Sequence, residues 1–395
     1  MKYPFTPELL DALPEELAEL FRGLELTLLE EICSRLKIAN NLNEVTVQDI
    51  RALRSHGIDL KEIKKAISEV TGVGMEKLDA LFDQVVERNQ AYYTELVELS
   101  EISKPAHLVD QADIEAIRRQ TKDEFTNLTQ SMGFLVTKGG KSVMLAPAKA
   151  YQWALDGAEL QIQSGAISYN EAIKKAVKQL ADSGIRSVSY ESGHVDQVDV
   201  AVRRAVMTGV NQTCRRYSEQ SVDYLETDLV EVTAHIGARD TGTGPENHKQ
   251  WQGKVYRWSE KKGNSTGDYP DFVRTTGYGT GPGLGGWNCR HSFYSYVEGV
   301  SGRTYTDLEL KKIDDEHGCT FEGKSYTAYE ATQKQREIER TVRKLKREKA
   351  AYKAAGLSED AQNVSIRLRR LNAEYKAFSE AADLPMQKER MKALY

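Results

Sequence analysis

Two short strings carry the residue types that hold metal ions: Cys289-Arg290-His291 and His317-Gly318-Cys319, a C-x-H and its mirror image. Thiolate and imidazole are the ligands zinc prefers, and one-residue spacing lets a single turn supply two of them. Together the pairs predict a tetrahedral set of Cys289, His291, His317 and Cys319. A rival set, His235, His248, Cys289 and His291, lies within one Gly-rich stretch. A structural zinc is the one cofactor these residues suggest. The plainer alternative is polar side chains packed in a loop-rich core. Asp240 and Glu246 stand just ahead of His248, so a metal-dependent hydrolase or nuclease using His235, His248, Cys289 and His291 is a further reading.

Other catalytic signatures are weaker. Gly281-Pro282-Gly283-Leu284-Gly285-Gly286 formally matches G-x-G-x-x-G, yet no strand leads into it and no helix opens from it, and Pro282 removes an N–H. The glycines read as tight turns packed near Trp287. There is no G-x-x-x-x-G-K-[ST] and no G-x-S-x-G elbow, and no catalytic residue is assigned.

The elements that must position these residues are mostly helical, and the class expected is α+β, mostly α. Residues 1–104 read as an acidic helical domain. Leu13, Leu17, Leu20, Leu24, Leu28 and Ile32 form one stripe at helical spacing. A second helix is expected from Thr46 to Gly57, and a third starts near Leu60, with Gly72 and Gly74 as punctuation. Residues 105–227 read as a helical middle region, with helices over 150–162, 168–183 and 195–219. The last carries Arg203, Arg204, Arg215 and Arg216 on what reads as a solvated face.

Residues 228–325 form a compact α+β module rich in Gly, His and aromatics, with strands at 229–234, 255–259 and 292–297. Residues 326–395 read as a basic helical hairpin and tail. Its arms are joined at Gly356 and are long enough for an antiparallel coiled coil. Tyr329, Ile338, Val342, Leu345 and Tyr352 are expected to face Ile366, Leu368, Leu371, Tyr375 and Phe378.

Charge is split along the chain. The whole carries 54 Lys and Arg against 59 Asp and Glu, for a net −5, which excludes a uniformly basic nucleic-acid binder. Residues 1–100 are net −8, with 11 basic against 19 acidic side chains, which argues against a DNA-reading helix-turn-helix there. Residues 331–395 are net +7, with 16 basic against 9 acidic. Arg343, Lys344, Lys346, Arg347, Arg367, Arg369 and Arg370 are therefore candidates for non-specific contact with DNA phosphates, and a cytosolic coiled-coil DNA-binding protein is another reading. Mean hydropathy is −0.56 and no membrane span or secretory signal is visible. Four cysteines are too few for a disulfide scaffold, which suggests a reducing compartment.

The module reads T-A-H-I-G-A-R at 233–239, H-K-Q-W-Q-G-K-V-Y at 248–256 and Y-P-D-F at 269–272. It continues T-G-Y-G-T-G-P-G-L-G-G-W-N-C-R-H-S-F at 276–293 and Y-T-A-Y-E-A-T-Q-K-Q-R at 326–336. This string resembles the phage minor capsid protein 2 family of tailed bacteriophages and prophages, and more distantly the Mu F-like head morphogenesis proteins. The resemblance implies a structural, non-enzymatic virion protein associated with the phage portal protein. It would meet other head or scaffold proteins and packaged DNA, but no membrane. It would sit in the head interior near the portal, after assembly in the host cytoplasm, and act in head morphogenesis, DNA packaging or ejection. The matching positions form a fold core of His235, Arg239, His248, Trp251, Gln252, Gly253, Trp287, Asn288, Cys289 and His291. One departure is the D-T-G-T-G-P-E-N segment between Arg239 and His248, where the family resemblance leads to a much shorter link.

Overall fold

Helix α1 (Pro7–Ala12) opens with Thr6 accepting from the Leu9 amide, and α2 (Glu15–Asn40) follows with Glu15 and Glu16 against the positive end of its dipole. The apolar stripe expected on α2 is there, with Leu17, Leu24, Leu28 and Ile32 buried beside Phe21, Leu29 and Cys33. Burial goes further round than the stripe: Arg22 and Glu25 are also enclosed. A helix covered on most sides forces its charged residues to find partners inside the protein. The computed structural model describes residues 3–40, 60–103, 105–138, 140–164, 169–188, 193–286, 289–314 and 318–392. The helix expected from Thr46 to Gly57 lies outside the described residues.

Helix α3 (Leu60–Leu99) runs unbroken through Gly72 and Gly74, which do not punctuate it. The reason at Gly74 is packing, because a Cβ there would lie 2.6 Å from the Phe125 ring and close to Phe21. Phe125 belongs to α4 (Gln111–Gln130), capped by Asp110. The middle region is less purely helical than expected. Strands β1 (Gly133–Lys138), β2 (Lys141–Leu145), β3 (Ile185–Val188) and β4 (Val195–Gln197) form an antiparallel sheet in the order β2-β1-β3-β4. These strands are only three to six residues long, too short for alternation to stand out from helical periodicity. Helices α5 (Pro147–Gln163), α6 (Tyr169–Ser183) and α7 (Val198–Tyr224) match the three expected there within a few residues.

The main core joins α2, α3, α4 and α7 through Phe21, Phe82, Phe125 and Val206, and it continues into the C-terminal hairpin through Val342 and Phe378. Residues from 1–104, 105–227 and 326–395 thus share one hydrophobic cluster. The module beyond α7 has its own cluster, built on Val230, Trp251, Trp258, Phe272 and Phe293. Its sheet places β5 (Leu229–Val232) between β6 (Val255–Arg257) and β7 (Phe293–Tyr296), all antiparallel, with the short helices α8 (His248–Trp251) and α9 (Phe272–Thr276) in its connections and α10 (Asp307–Asp314) after β7. As the middle strand, β5 is buried at every position, including Glu231, which accepts from the Thr304 amide at 2.9 Å and from the Tyr3 hydroxyl.

The hairpin is formed by α11 (Ala328–Ala354) and α12 (Ser358–Ala381), joined where Gly356 turns left-handed at φ +76°. A capping box of Thr327 and Glu330 starts α11. Tyr375 donates to Glu339 and Gln335 donates to Ser379, each at 3.0 Å, which sets the arms antiparallel. Ile366 does not face the first arm as expected. The buried stripe of α12 runs through Val364, Leu368, Tyr375 and Phe378, and Ile366, two residues past Val364, points to solvent.

Candidate functional site

Three of the four residues of one predicted metal set come together. A ring nitrogen of His248, one of His291 and the Cys289 sulfur lie within 4.8 Å of one another. His248 starts the one-turn helix α8 (His248–Trp251), while Cys289 and His291 lie just ahead of β7. Extended backbone sends alternate side chains to opposite sides, so Cys289 and His291 share a side and Arg290 points away. Ser292 continues the pairing of β7 with β5: its carbonyl accepts from the Thr233 amide at 2.9 Å, and its own amide donates to the Thr233 hydroxyl at 2.9 Å.

Gln252 organises the cluster. Its Oε1 accepts from the His235 backbone amide at 3.0 Å, and its Nε2 donates to Asp314 Oδ1 at 2.7 Å, so both ends are oriented by partners of fixed role. The same Oε1 lies 3.0 Å from His291 Nε2. An amide oxygen only accepts, so His291 carries its proton on Nε2 and its Nδ1 lone pair is left facing Cys289 Sγ at 3.7 Å. His248 Nε2 meets the Pro282 carbonyl at 2.9 Å and must likewise donate, leaving its Nδ1 as the lone pair.

Aromatic walls close the site. Trp251 stands 4.6 Å from the His248 ring and 4.8 Å from His291, and its indole N–H donates to Pro245 at 3.0 Å. Burial holds His248 and His291 below the ordinary imidazole range and raises the Cys289 thiol. Gly253 has φ +67°, and a Cβ there would strike Leu310 at 2.1 Å, so the W-Q-G string needs its glycine.

The Gly-rich loop supports the site and has no geometry for a nucleotide. A Cβ at Gly283 would lie 2.2 Å from the Gly277 carbonyl oxygen, and one at Gly286 would lie 2.1 Å from that of Gly281. The turns are stacked on one another, and they present the Pro282 carbonyl to His248. The long link after Arg239 closes on itself: the Lys249 amide donates to the Arg239 carbonyl at 3.0 Å, and Asn247 ties back to Gly242 and Gly244. Arg239 and His248 therefore stay adjacent.

The other predicted positions are distributed differently. His235 stacks on His291 at 4.5 Å, outside the three-donor set, with its Nδ1 bound to the Ile236 carbonyl. Burial, followed by the positive charge of Arg290, takes its pKa down to about 4. Cys319 begins β8 (Cys319–Phe321) and packs in the main helical core, whereas Cys289 belongs to the module's own cluster. The two cysteines are thus held in different cores. His317, Trp287 and Asn288 lie outside the described residues.

Several of the basic residues face inward. Arg347 pairs with Glu25 at 3.3 Å and Arg343 with Asp199 at 3.4 Å, and both are largely enclosed. Lys344 meets Asp182 at 3.1 Å, and Lys346 donates to the Met391 carbonyl. Arg203, expected on a solvated face, instead binds Asp11 and Glu15. Carboxylates of α2 (Glu25), α6 (Asp182) and α7 (Asp199) thus pair with three first-arm cations, of which Lys344 stays exposed. Arg367, Arg369 and Arg370 on the second arm are exposed, although Arg367 also reaches Glu348 at 3.6 Å.

A hub that the sequence did not reveal is Asp11. Arg203 and Arg390 bind it directly, and Arg290 and Arg336 stand 4.0 Å away. These partners are 192 to 379 positions distant, for which local spacing carries no signal. Asp11 and Arg290 line a cavity of about 460 Å³ that His235 also reaches. Burial raises the Asp11 carboxyl, but Arg290, Arg203 and Arg390 outweigh it, so its folded pKa is lowered. The stabilisation is complete above the unfolded carboxylate value of about 3.9 and is lost as pH falls through the folded one. Melting curves of Asp11→Asn and the parent should therefore differ most near neutrality and converge as pH falls below the unfolded carboxylate value of about 3.9. A constant gap across that range would show that charge is not the cause.

The phage minor capsid protein 2 family model matches residues 5–380. A structural protein of Lactococcus phage LL-H is 28% identical over 261 residues, covering 65% of this chain and 64% of that protein. A structural protein of Lactococcus phage mv4 is 40% identical over 80 residues, covering 20% of this chain and 55% of that protein. The chain thus matches less than two thirds of either relative's length. No solved structure matches it.

Proposed function

The chain belongs to the phage minor capsid protein 2 family, and on that premise we propose that it is a portal-associated minor head protein of a tailed phage or prophage. It acts in head morphogenesis, DNA packaging or ejection, without catalysis. The observation that carries this reading is the family match across nearly the whole chain, joined by relatives that are themselves phage structural proteins. The arrangement of the His and Cys residues supports a structural role over a hydrolase. His248, Cys289 and His291 are buried, with Trp251 against both imidazole rings, which does not suit a polymeric substrate. Among the described residues no helix is long and apolar enough to cross a membrane.

In this reading the protein sits inside the head near the portal. DNA phosphates would meet the second arm of the hairpin, at Arg369 and Arg370, which are exposed, whereas Arg343 and Arg347 of the first arm are paired inside the protein. The test is co-purification of the full chain with the portal protein encoded beside it, in soluble and procapsid form, together with its detection in purified virions. We expect a complex with the portal and a few copies per particle. Absence from virions, or no portal binding in either form, overturns the assignment.

A further inference from the structure

We propose that His248, Cys289 and His291 bind one thiophilic divalent cation of the zinc class, with Gln252 and the Pro282 carbonyl holding the two imidazoles in the ligating tautomer. The first support is distance. A tetrahedral centre with bonds of about 2.0–2.3 Å keeps its donor atoms about 3.3–3.8 Å apart. Cys289 Sγ and His291 Nδ1 are already 3.7 Å apart, and all three donors lie within 4.8 Å. Closing the set around an ion needs movements of about 1 Å or less per side chain, by the same bond lengths.

The second support is independent of distance. Metal-ligating histidines donate their other ring N–H to a carbonyl or similar acceptor, which fixes the tautomer and aims the lone pair. Both histidines here do so, His248 to the Pro282 carbonyl and His291 to Gln252 Oε1. Gln252 is itself held by the His235 amide and by Asp314.

The donor set also selects the ion. One thiol and two imidazoles, with no carboxylate among them, suit zinc and disfavour magnesium and calcium, which take oxygen ligands. Binding converts the Cys289 thiol to thiolate, and its proton leaves to solvent. The ion would tie α8 to the segment that enters β7, and so stitch the Gly-rich loop shut between them.

The experiment uses the full-length protein, stripped with chelator and titrated with Co²⁺ and Zn²⁺. Co²⁺ should give a near-ultraviolet sulfur-to-cobalt charge-transfer band that saturates at one equivalent, is displaced by Zn²⁺ and is absent in Cys289→Ser. Cys33→Ser and Cys319→Ser should keep the band. Gln252→Leu should weaken affinity by about 10–100-fold, the usual effect of removing an outer-shell partner. No charge-transfer band in the folded parent protein, checked by circular dichroism, overturns the proposal and leaves a thiol donating to the His291 Nδ1. A band that survives Cys289→Ser overturns it too, by assigning the ion elsewhere.

Discussion

Replacing Arg347 by Met is expected to cost about 3–5 kcal/mol of stability, because it leaves Glu25 buried without its cation. Glu25 lies on α2, among side chains of the main core, and is 4% exposed. One of its oxygens faces Arg347 at 3.3 Å and the other accepts from the Ile185 amide at 2.7 Å. Arg347 also donates to the Ala181 carbonyl at 3.3 Å, at the end of α6. Gly184 turns left-handed between them, and a Cβ there would lie 2.5 Å from Glu25 Oε1. The pair thus clamps α2, α6, β3 and the hairpin at one point.

The pH dependence of this deficit has a definite sign. Burial raises the Glu25 carboxyl most, Asp199 adds to that, and Arg347 opposes it, with a net rise. A raised folded pKa means that the protonated form is favoured by folding and that this contribution is lost as pH rises through that value. Without Arg347 the pKa climbs further. The deficit of Arg347→Met should therefore shrink as pH is lowered from about 7 to about 5. A double variant, Glu25→Gln with Arg347→Met, keeps an oxygen for Ile185 and should recover most of the loss. Urea unfolding at several pH values measures all of this. A single-variant cost below about 1 kcal/mol would place the pair among weakly coupled surface bridges instead.

Trp251→Ala is expected to cost a similar amount, about 3–5 kcal/mol, through the cavity it opens. Its ring is 1% exposed, it walls both histidines, and its indole N–H would leave the Pro245 carbonyl without a partner. The Tyr256 hydroxyl donates to the Trp251 carbonyl at 2.7 Å, so the residue also anchors β6. Because the module has its own hydrophobic cluster, hydrogen exchange should lose protection chiefly over residues 228–314, with α11 and α12 least affected. Trp251→Phe, which retains most of the ring, should cost far less. Equal loss of protection in the hairpin would show that the two cores unfold as one.

The difference between these two sites explains what was legible in advance. Trp251, Gln252, Gly253, His248, Cys289 and His291 stand out because their chemistry is rare and their strings are short. Each does its work within a module of about a hundred residues. Gln252 reads as a motif residue, yet that it orients His291 depends on Asp314 and on the His235 amide, which no spacing announces. The short strands of the middle region are not legible because runs of three to six residues, with one or two β-branched side chains each, do not stand out from helical periodicity. Gly72 and Gly74 misled for the opposite reason: a strong local breaker was overridden by the contact of Gly74 with Phe125.

The sequence by itself determined the mostly helical class, the strands of the Gly- and His-rich module, the C-terminal hairpin and the family motif. All of these rest on local periodicity, turn chemistry or rare residue types. It also showed the division of charge into an acidic head and a basic end. Only the tertiary structure decided what that division is for. Glu25, Asp199, Asp182 and Asp11 sit opposite Arg347, Arg343, Lys344 and Arg390. Arg347, Arg343 and Arg390 are therefore turned inward, because charges enclosed by packing must be neutralised where they stand, while Lys344 and the second-arm arginines stay exposed. Which donors surround Cys289 was settled in the same way. His248 approaches it and Cys319 does not, since the fold assigns Cys289 and Cys319 to different cores.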